Sequence, residues 1–71
     1  MGEVRAEMAA NVWKIVVSVG AKVSAGDELL ILESMKMEIP VLAVIDGVVV
    51  SIDVDEGTVV QDGDLVAVVE G

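Results

Sequence analysis

The sequence contains no cysteine and no histidine among its 71 residues, and both absences restrict what the chain can do. Without cysteine the chain has neither a disulfide framework nor a thiolate metal site. Without histidine it lacks the commonest general base and the commonest metal ligand of proteins. Most familiar catalytic constellations are therefore excluded, and we expect no catalytic residue and no bound metal ion.

Basic residues are also scarce, because four Lys and Arg stand against thirteen Asp and Glu, for a formal net charge of -9. A surface of this sign repels a phosphate backbone, so nucleic acid is not expected as a partner. The opening residues MGEVRAEM lack the basic region and long apolar stretch of a secretory signal. Every apolar run is interrupted well before the roughly 18 residues that a membrane helix needs. We therefore predict no membrane association and a cytoplasmic location.

What the chain has in abundance is aliphatic residues, since 55% of its residues are hydrophobic and only one is aromatic. Valine and isoleucine favour strands, because branching at Cβ restricts χ1. The apolar segments are short, they are separated by glycine and acidic residues, and none has the length of an ordinary helix. A chain of this size buries only about 60% of its unfolded surface, which suits one small core. We predict a single all-β domain over residues 1–71.

The segments also repeat along the chain. An offset of 37 residues places Gly20 on Gly57 and Gly26 on Gly63. Each copy has the order strand, Gly turn, short strand, Gly-Asp turn, strand. Two copies are too few for a solenoid, but they can form one small barrel or flattened sandwich about a pseudo-two-fold axis. We predict a flattened β-barrel, or barrel-sandwich hybrid, of two quasi-symmetric four-stranded halves, with the four glycines at positive φ.

The two copies meet in the stretch ILESMKMEIPV, residues 31–41. The last strand of the first copy is predicted at about Leu29–Ser34 and the first strand of the second at about Met37–Leu42. Met35 and Lys36 then form a two-residue hairpin loop. Such loops favour Asn-Gly or Gly-X, so Met-Lys is a poor choice for turn formation alone. Residues that break a local rule in this way are where function is expected.

Lys36 offers a primary amine at the predicted tip of this hairpin. A solvated lysine amine is protonated at neutral pH, and to act as a nucleophile it needs burial or a cationic neighbour. Its neighbours Glu33 and Glu38 are instead acidic. Lys36 is therefore better suited to be the substrate of another enzyme, one that supplies an activated acyl group and removes the proton.

The motif Glu33-Ser34-Met35-Lys36-Met37 closely resembles the attachment motif of biotinyl domains, the carboxyl carrier domains of biotin-dependent carboxylases. In that family a lysine lies between two methionines at a hairpin tip that joins two quasi-symmetric halves. The resemblance covers nearly the whole chain, which is similar to a small stand-alone biotin/lipoyl attachment protein. One departure is that many members have a proline-rich segment early in each half. Here Ala6–Ala10 and Ala43–Gly47 stand in its place, without prolines and with the glycine only in the second.

The resemblance implies that a biotin protein ligase attaches biotin to the ε-amine of Lys36 through an amide bond. It further implies that the tethered ring receives a carboxyl group at a biotin carboxylase and delivers it at a carboxyltransferase, with an acyl-CoA as the expected acceptor. Met35 and Met37 are expected to give the tip a soft, adaptable apolar surface for these partners. Glu33 and Ser34 complete the motif. The chain would then be a cofactor carrier and not an enzyme.

Two other functions stay open on the sequence. A lipoyl carrier of a 2-oxo-acid dehydrogenase is similar in fold and in its hairpin lysine, but it typically has an acidic residue where this chain has Met35. An unmodified β interaction module would have an ordinary solvated lysine at this place. Lys14 and Lys22 are interpreted as surface residues. The acidic residues at turns lack the dense spacing of a calcium loop and are interpreted as turn caps; they are Asp27, Glu56, Asp62 and Asp64.

Overall fold

The computed structural model describes residues 2–71, and these form eight strands and no helix. The strands are β1 (Gly2–Arg5), β2 (Ala10–Ile15), β3 (Lys22–Val23), β4 (Glu28–Ser34), β5 (Met37–Leu42), β6 (Gly47–Ile52), β7 (Val59–Val60) and β8 (Leu65–Glu70). The all-β prediction and the predicted four strands per half are confirmed, and β1 is the one strand whose position was not predicted. Within the same residues no helix is long and apolar enough to cross a membrane.

The strands form two four-stranded sheets with the orders β1-β8-β6-β3 and β5-β4-β2-β7, and all neighbours are antiparallel. The offset of 37 residues relates each strand of one sheet to the strand at the same place in the other. Each sheet therefore holds two strands from each copy of the repeat, and neither copy forms a sheet of its own. The two sheets do not close into one barrel. The predicted barrel-sandwich hybrid of two quasi-symmetric halves describes this arrangement.

Reciprocal backbone hydrogen bonds join the two copies where their loops meet. The N–H of Gly26 donates to the carbonyl of Ala43 over 2.9 Å, and the N–H of Gly63 donates to the carbonyl of Ala6 over 2.8 Å. Under the offset of 37 residues, Gly26 corresponds to Gly63 and Ala43 corresponds to Ala6, so the two bonds are equivalent. Gly26 and Gly63 have φ of +94° and +90°, and Gly20 and Gly57 are also at positive φ, as predicted.

Acidic side chains cap the turns of both copies in the same way. An Asp27 Oδ2 atom accepts the N–H of Ser24 over 2.9 Å, and an Asp64 Oδ2 atom accepts the N–H of Gln61 over 2.8 Å. Such bonds occupy backbone donors that a tight turn leaves free. The interpretation of these two aspartates as turn caps is confirmed. A carboxylate oxygen of Glu56 likewise accepts a backbone N–H, that of the last residue of β2, over 2.9 Å.

One aliphatic core lies between the two sheets. Its members are Val4, Ala6, Ala10, Val12, Val23, Leu29, Leu30, Leu32, Ala43, Val49, Val60, Val66, Ala67 and Val69. Register shifts in the β4–β5 and β1–β8 ladders skip Leu29 and Val66, which the repeat makes equivalent. Both side chains are fully buried beside an equally buried neighbour. Each such side chain contributes about 1.5–3 kcal/mol to the free energy of unfolding relative to an exposed one.

A further register shift lies in β2 between Val12 and Lys14. It skips Trp13, so that the only aromatic side chain faces outward and is 44% exposed. The Lys14 amine lies 5.6 Å from the centroid of the Trp13 ring, within the range of a cation–π contact. Lys14 is thus a surface residue, as expected.

Gly47 begins β6 where the backbone lies directly against β8. A Cβ atom placed at Gly47 overlaps the carbonyl oxygen of Glu70. The equivalent residue of the first copy is Ala10, which does carry a Cβ and is buried. This close approach gives a physical reason for the glycine that the second copy has and the first lacks.

We predict that Gly47→Ala lowers the free energy of unfolding by about 1–3 kcal/mol, because the backbones of β6 and β8 must move apart to admit the methyl group. Urea denaturation followed by tryptophan fluorescence measures the effect. Val19→Ala, at a side chain that is 61% exposed, is the control and is expected to change the free energy by less than about 0.5 kcal/mol. Equal losses in the two variants would contradict the prediction.

Candidate functional site

Lys36 is the second residue of the two-residue loop that joins β4 to β5. Ser34 pairs with Met37 across the ladder, so only Met35 and Lys36 lie between the strands. Their φ angles are +52° and +65°, and they are the two non-glycine residues with positive φ within residues 2–71. Positive φ at both central residues is the signature of a type I′ turn, which matches the twist of the flanking strands. The predicted hairpin loop is confirmed.

The left-handed conformation is unfavourable for both residues of the turn. A side chain with a Cβ atom costs about 1–2 kcal/mol there, and only Gly, Asn and Asp adopt it routinely. The rest of the hairpin enforces it, because the ladder runs from the Glu28–Leu42 pair to the last pair before the loop. Leu30 and Leu32 also hold β4 in the core at 1% exposure each. The core therefore holds Met-Lys in a turn that its own residues disfavour.

The turn leaves its side chains in solvent. Met35 is 92% exposed and Met37 is 64% exposed, and Lys36 is exposed between them. Within residues 2–71 the one ion pair joins Arg5 to Glu3, and no side-chain hydrogen bond involves the Lys36 amine. This amine is free to enter the site of another protein.

Acidic side chains flank the tip on both strands. Glu33 and Glu38 lie directly opposite each other in the β4–β5 ladder. Like charges at opposed positions destabilise a ladder, so this pair is a second local conflict beside the turn. Glu33 and Ser34 are half-buried at the end of β4, whereas Glu38 is exposed. The lysine of the tip therefore lies close in sequence to two carboxylates, one on each strand of the hairpin.

All five residues of the predicted motif lie at this one tip. Their proximity follows from their contiguity in sequence, and the structure adds the exposure and the turn conformation. It also adds Asn11 and Val59, which the sequence did not indicate. Asn11 in β2 pairs with Glu33 in β4, and on its other side Asn11 pairs with Val59 in β7. No motif or repeat marks these two residues, because their place depends on how the strands pair.

The other lysines occupy ordinary positions. Lys14 is exposed in β2 and contacts the Trp13 ring, and Lys22 is exposed in the two-residue strand β3. Neither has positive φ. Pro40 lies in β5, which is an edge strand, so its missing N–H does not interrupt a central ladder.

The chemistry available at the tip is that of an accessible amine and two thioethers. Carboxylates are the only other ionisable groups of the motif, and the chain has no histidine or cysteine. Among residues 2–71 no three acidic side chains converge as a metal site would require. The tip can therefore present an amine to another enzyme, but it does not carry the groups to activate that amine.

We predict that Met35→Asn raises the free energy of unfolding by about 1 kcal/mol, because asparagine tolerates the left-handed conformation. Urea denaturation measures the change. Met37→Asn is the matched control, since Met37 is exposed beside the same lysine but lies in β5 without positive φ. A gain of the same size in the control would show that removal of an exposed thioether, and not relief of the turn, is responsible.

Two known proteins that are similar to this chain in sequence are also similar to it in length. A biotinylated protein TB7.3 homolog of Mycobacterium leprae is 54% identical over 67 residues, which are 94% of this chain and 94% of that protein. A biotin/lipoyl attachment protein of Bacillus subtilis is 46% identical over 59 residues, which are 83% of this chain and 81% of that protein.

The structure is similar to one part of a much larger enzyme. The crystal structure of the Kluyveromyces lactis urea carboxylase matches it with a TM-score of 0.92 and 40% sequence identity. The match covers 97% of this chain and 6% of the carboxylase chain. The family model described as "Biotin-requiring enzyme" matches residues 1–69. The chain belongs to the biotin/lipoyl attachment family.

Proposed function

We propose that Lys36 is the residue to which biotin is covalently attached, and that the chain, as one unit over residues 1–71, is the carboxyl carrier of a biotin-dependent carboxylase. The observation that carries this proposal is the exposed amine at the tip of a type I′ turn, between two exposed thioethers. Family membership and the likeness to part of a urea carboxylase support it.

The residues of the tip suit this role as an acceptor. The Lys36 Nζ atom forms an amide bond with the carboxyl carbon of biotin, the acyl–phosphate bond of the biotinyl adenylate breaks, and AMP leaves. The proton of the amine goes to the biotin protein ligase or to solvent, because the only other ionisable groups of the tip are carboxylates, which are weak bases. Met35 and Met37 give the ligase and later partners an apolar surface on each side of the amine. Glu33 and Ser34 fix the end of β4 from which the turn projects.

Once attached, biotin supplies the chemistry of carboxyl transfer, and the chain supplies its position. A cofactor on a tether reaches two successive sites at high effective concentration without dissociating. The hairpin anchors that tether, since β4 is held in the core by Leu30 and Leu32. Separate biotin carboxylase and carboxyltransferase subunits, an acyl-CoA acceptor and a cytoplasmic location belong to this proposal.

The group attached to Lys36 distinguishes a lipoyl carrier from a biotin carrier. Met35 stands where lipoyl domains typically have an acidic residue, which favours biotin. The mass added to Lys36 decides between the two cofactors.

We predict that Lys36→Arg abolishes biotin attachment and leaves the fold intact, because guanidinium keeps the charge but is not a usable acyl acceptor here. The measurement is intact mass spectrometry with peptide mapping after incubation with biotin protein ligase, biotin and ATP. The unsubstituted chain is expected to gain one biotinyl group, on Lys36. Circular dichroism verifies that the variant is folded.

Lys14→Arg and Lys22→Arg are the matched controls, since both lysines are exposed in strands. Each is expected to accept one biotinyl group as the unsubstituted chain does. Biotin on the folded Lys36→Arg chain would assign the attachment elsewhere, and a lipoyl group on Lys36 from a lipoyl ligase, without biotin from the biotin ligase, would replace the proposed cofactor.

A further inference from the structure

The two thioethers beside Lys36 are the most exposed methionine side chains within residues 2–71. Met35 is 92% exposed and Met37 is 64% exposed, whereas Met8, in the connection between β1 and β2, is 38% exposed. Methionine is normally buried in the core, where it fills gaps, and a methionine exposed to this extent does not gain the stabilisation that burial gives. It also leaves the sulfur atoms accessible to dissolved oxidants.

The backbone prevents either thioether from moving into the core. Met35 occupies the first left-handed position of the turn, where the chain reverses beyond the last paired residues. Met37 is the first residue of β5, an edge strand, and its ladder partner Ser34 is itself only half-buried. Exposure of the two methionines therefore follows from their places in the hairpin.

We propose that Met35 and Met37 form a reversible oxidation site that controls the use of Lys36, an inference that rests on the proposed function of that lysine. The co-reactant is a hydroperoxide. The thioether sulfur donates an electron pair to the terminal peroxide oxygen, the O–O bond breaks, and an S–O bond forms. Sulfur is oxidised, and the proton of the transferred oxygen moves to the leaving oxygen, so that the peroxide is reduced to water or an alcohol. Methionine sulfoxide reductases reverse the change with a dithiol as reductant: the dithiol is oxidised to a disulfide, and the sulfoxide oxygen leaves as water.

Oxidation acts on Lys36 through the surface on each side of it. A sulfoxide replaces a soft apolar group by a polar one with a strong acceptor oxygen. A ligase that takes up the Lys36 amine must also cover the neighbouring thioethers, because they are adjacent in the chain and project from the same tip. Removing an unpaired sulfoxide oxygen from water is unfavourable, so the oxidised tip docks poorly. The amine itself is not altered.

The first measurement is the order of oxidation. The chain without biotin is treated with limiting hydrogen peroxide and digested with trypsin, which cleaves after Lys36 and so places Met35 and Met37 on different peptides. Met8 falls on a third peptide, because trypsin also cleaves after Arg5 and Lys14. We expect sulfoxide to form first at Met35, then at Met37 and last at Met8, in the order of their exposure. Oxidation of Met8 before the tip would overturn the proposal.

The second measurement is the rate of biotin attachment by a biotin protein ligase. Oxidation of both tip methionines is expected to lower the initial rate by about tenfold, as burial of an unpaired polar oxygen predicts. Methionine sulfoxide reductases A and B together, with dithiothreitol as the reductant, should restore it. Met8→Leu should stay as sensitive to peroxide as the unsubstituted chain, and the Met35→Leu, Met37→Leu double variant should become insensitive. If leucine at the tip itself prevents attachment, the reductase treatment of the unsubstituted chain still decides.

The outcomes separate this proposal from the one on which it rests. Equal rates for the oxidised and unoxidised chains, with biotin on Lys36 in both, would overturn the oxidation site alone. A reduced chain that takes no biotin on Lys36 would overturn the proposed function, and the oxidation site with it.

Discussion

Burial of one aliphatic layer between two four-stranded sheets is the interaction on which the rest of this structure depends. The chain is short, and the core is built from valine, leucine and alanine with no aromatic side chain. Each sheet draws two strands from each copy of the repeat, so the layer forms only when both copies are present. The reciprocal hydrogen bonds between the loops of the two copies likewise form only when both copies are present. The two halves are one folding unit in spite of their internal symmetry.

The tip depends on that core through β4. Leu30 and Leu32 are buried, the β4–β5 ladder continues to the last pair before the loop, and the turn is thereby held in a conformation that Met35 and Lys36 disfavour. The stability of the core thus maintains a local strain at the tip. In return, an amine and two thioethers are presented to solvent at a fixed place. Under the proposed function, a chain with neither histidine nor cysteine contributes to catalysis by positioning a group on which other proteins act.

Much of this structure can be predicted from the sequence because the signals are local or repeated. The offset of 37 residues indicates two related halves, the glycines mark turns at positive φ, and a two-residue gap between apolar runs marks the hairpin that carries Lys36. The resemblance of the motif to biotinyl domains then indicates the cofactor, which composition and periodicity alone leave open.

What escaped prediction depends on contacts distant in sequence. Strand β1 contains a single apolar residue, Val4, after its glycine, and its pairing with β8 becomes visible only in the sheet. The register shifts that bury Leu29 and expose Trp13 break the period of two, so a simple alternation misplaces them. The need for Gly47 arises from the backbone of β8, far along the chain. The presence of two strands from each copy in each sheet likewise depends on pairing between residues distant in sequence.

The claim that the fold presents Lys36 is tested most directly by comparing two substrates of one biotin protein ligase. One is the whole chain, and the other is the peptide ILESMKMEIPV, which has the same motif but neither the core nor the ladder that enforces the turn. If presentation by the hairpin is what matters, the whole chain is biotinylated far faster than the peptide at equal concentration. Equal rates would contradict it, because recognition would then reside in the motif sequence and not in the fold.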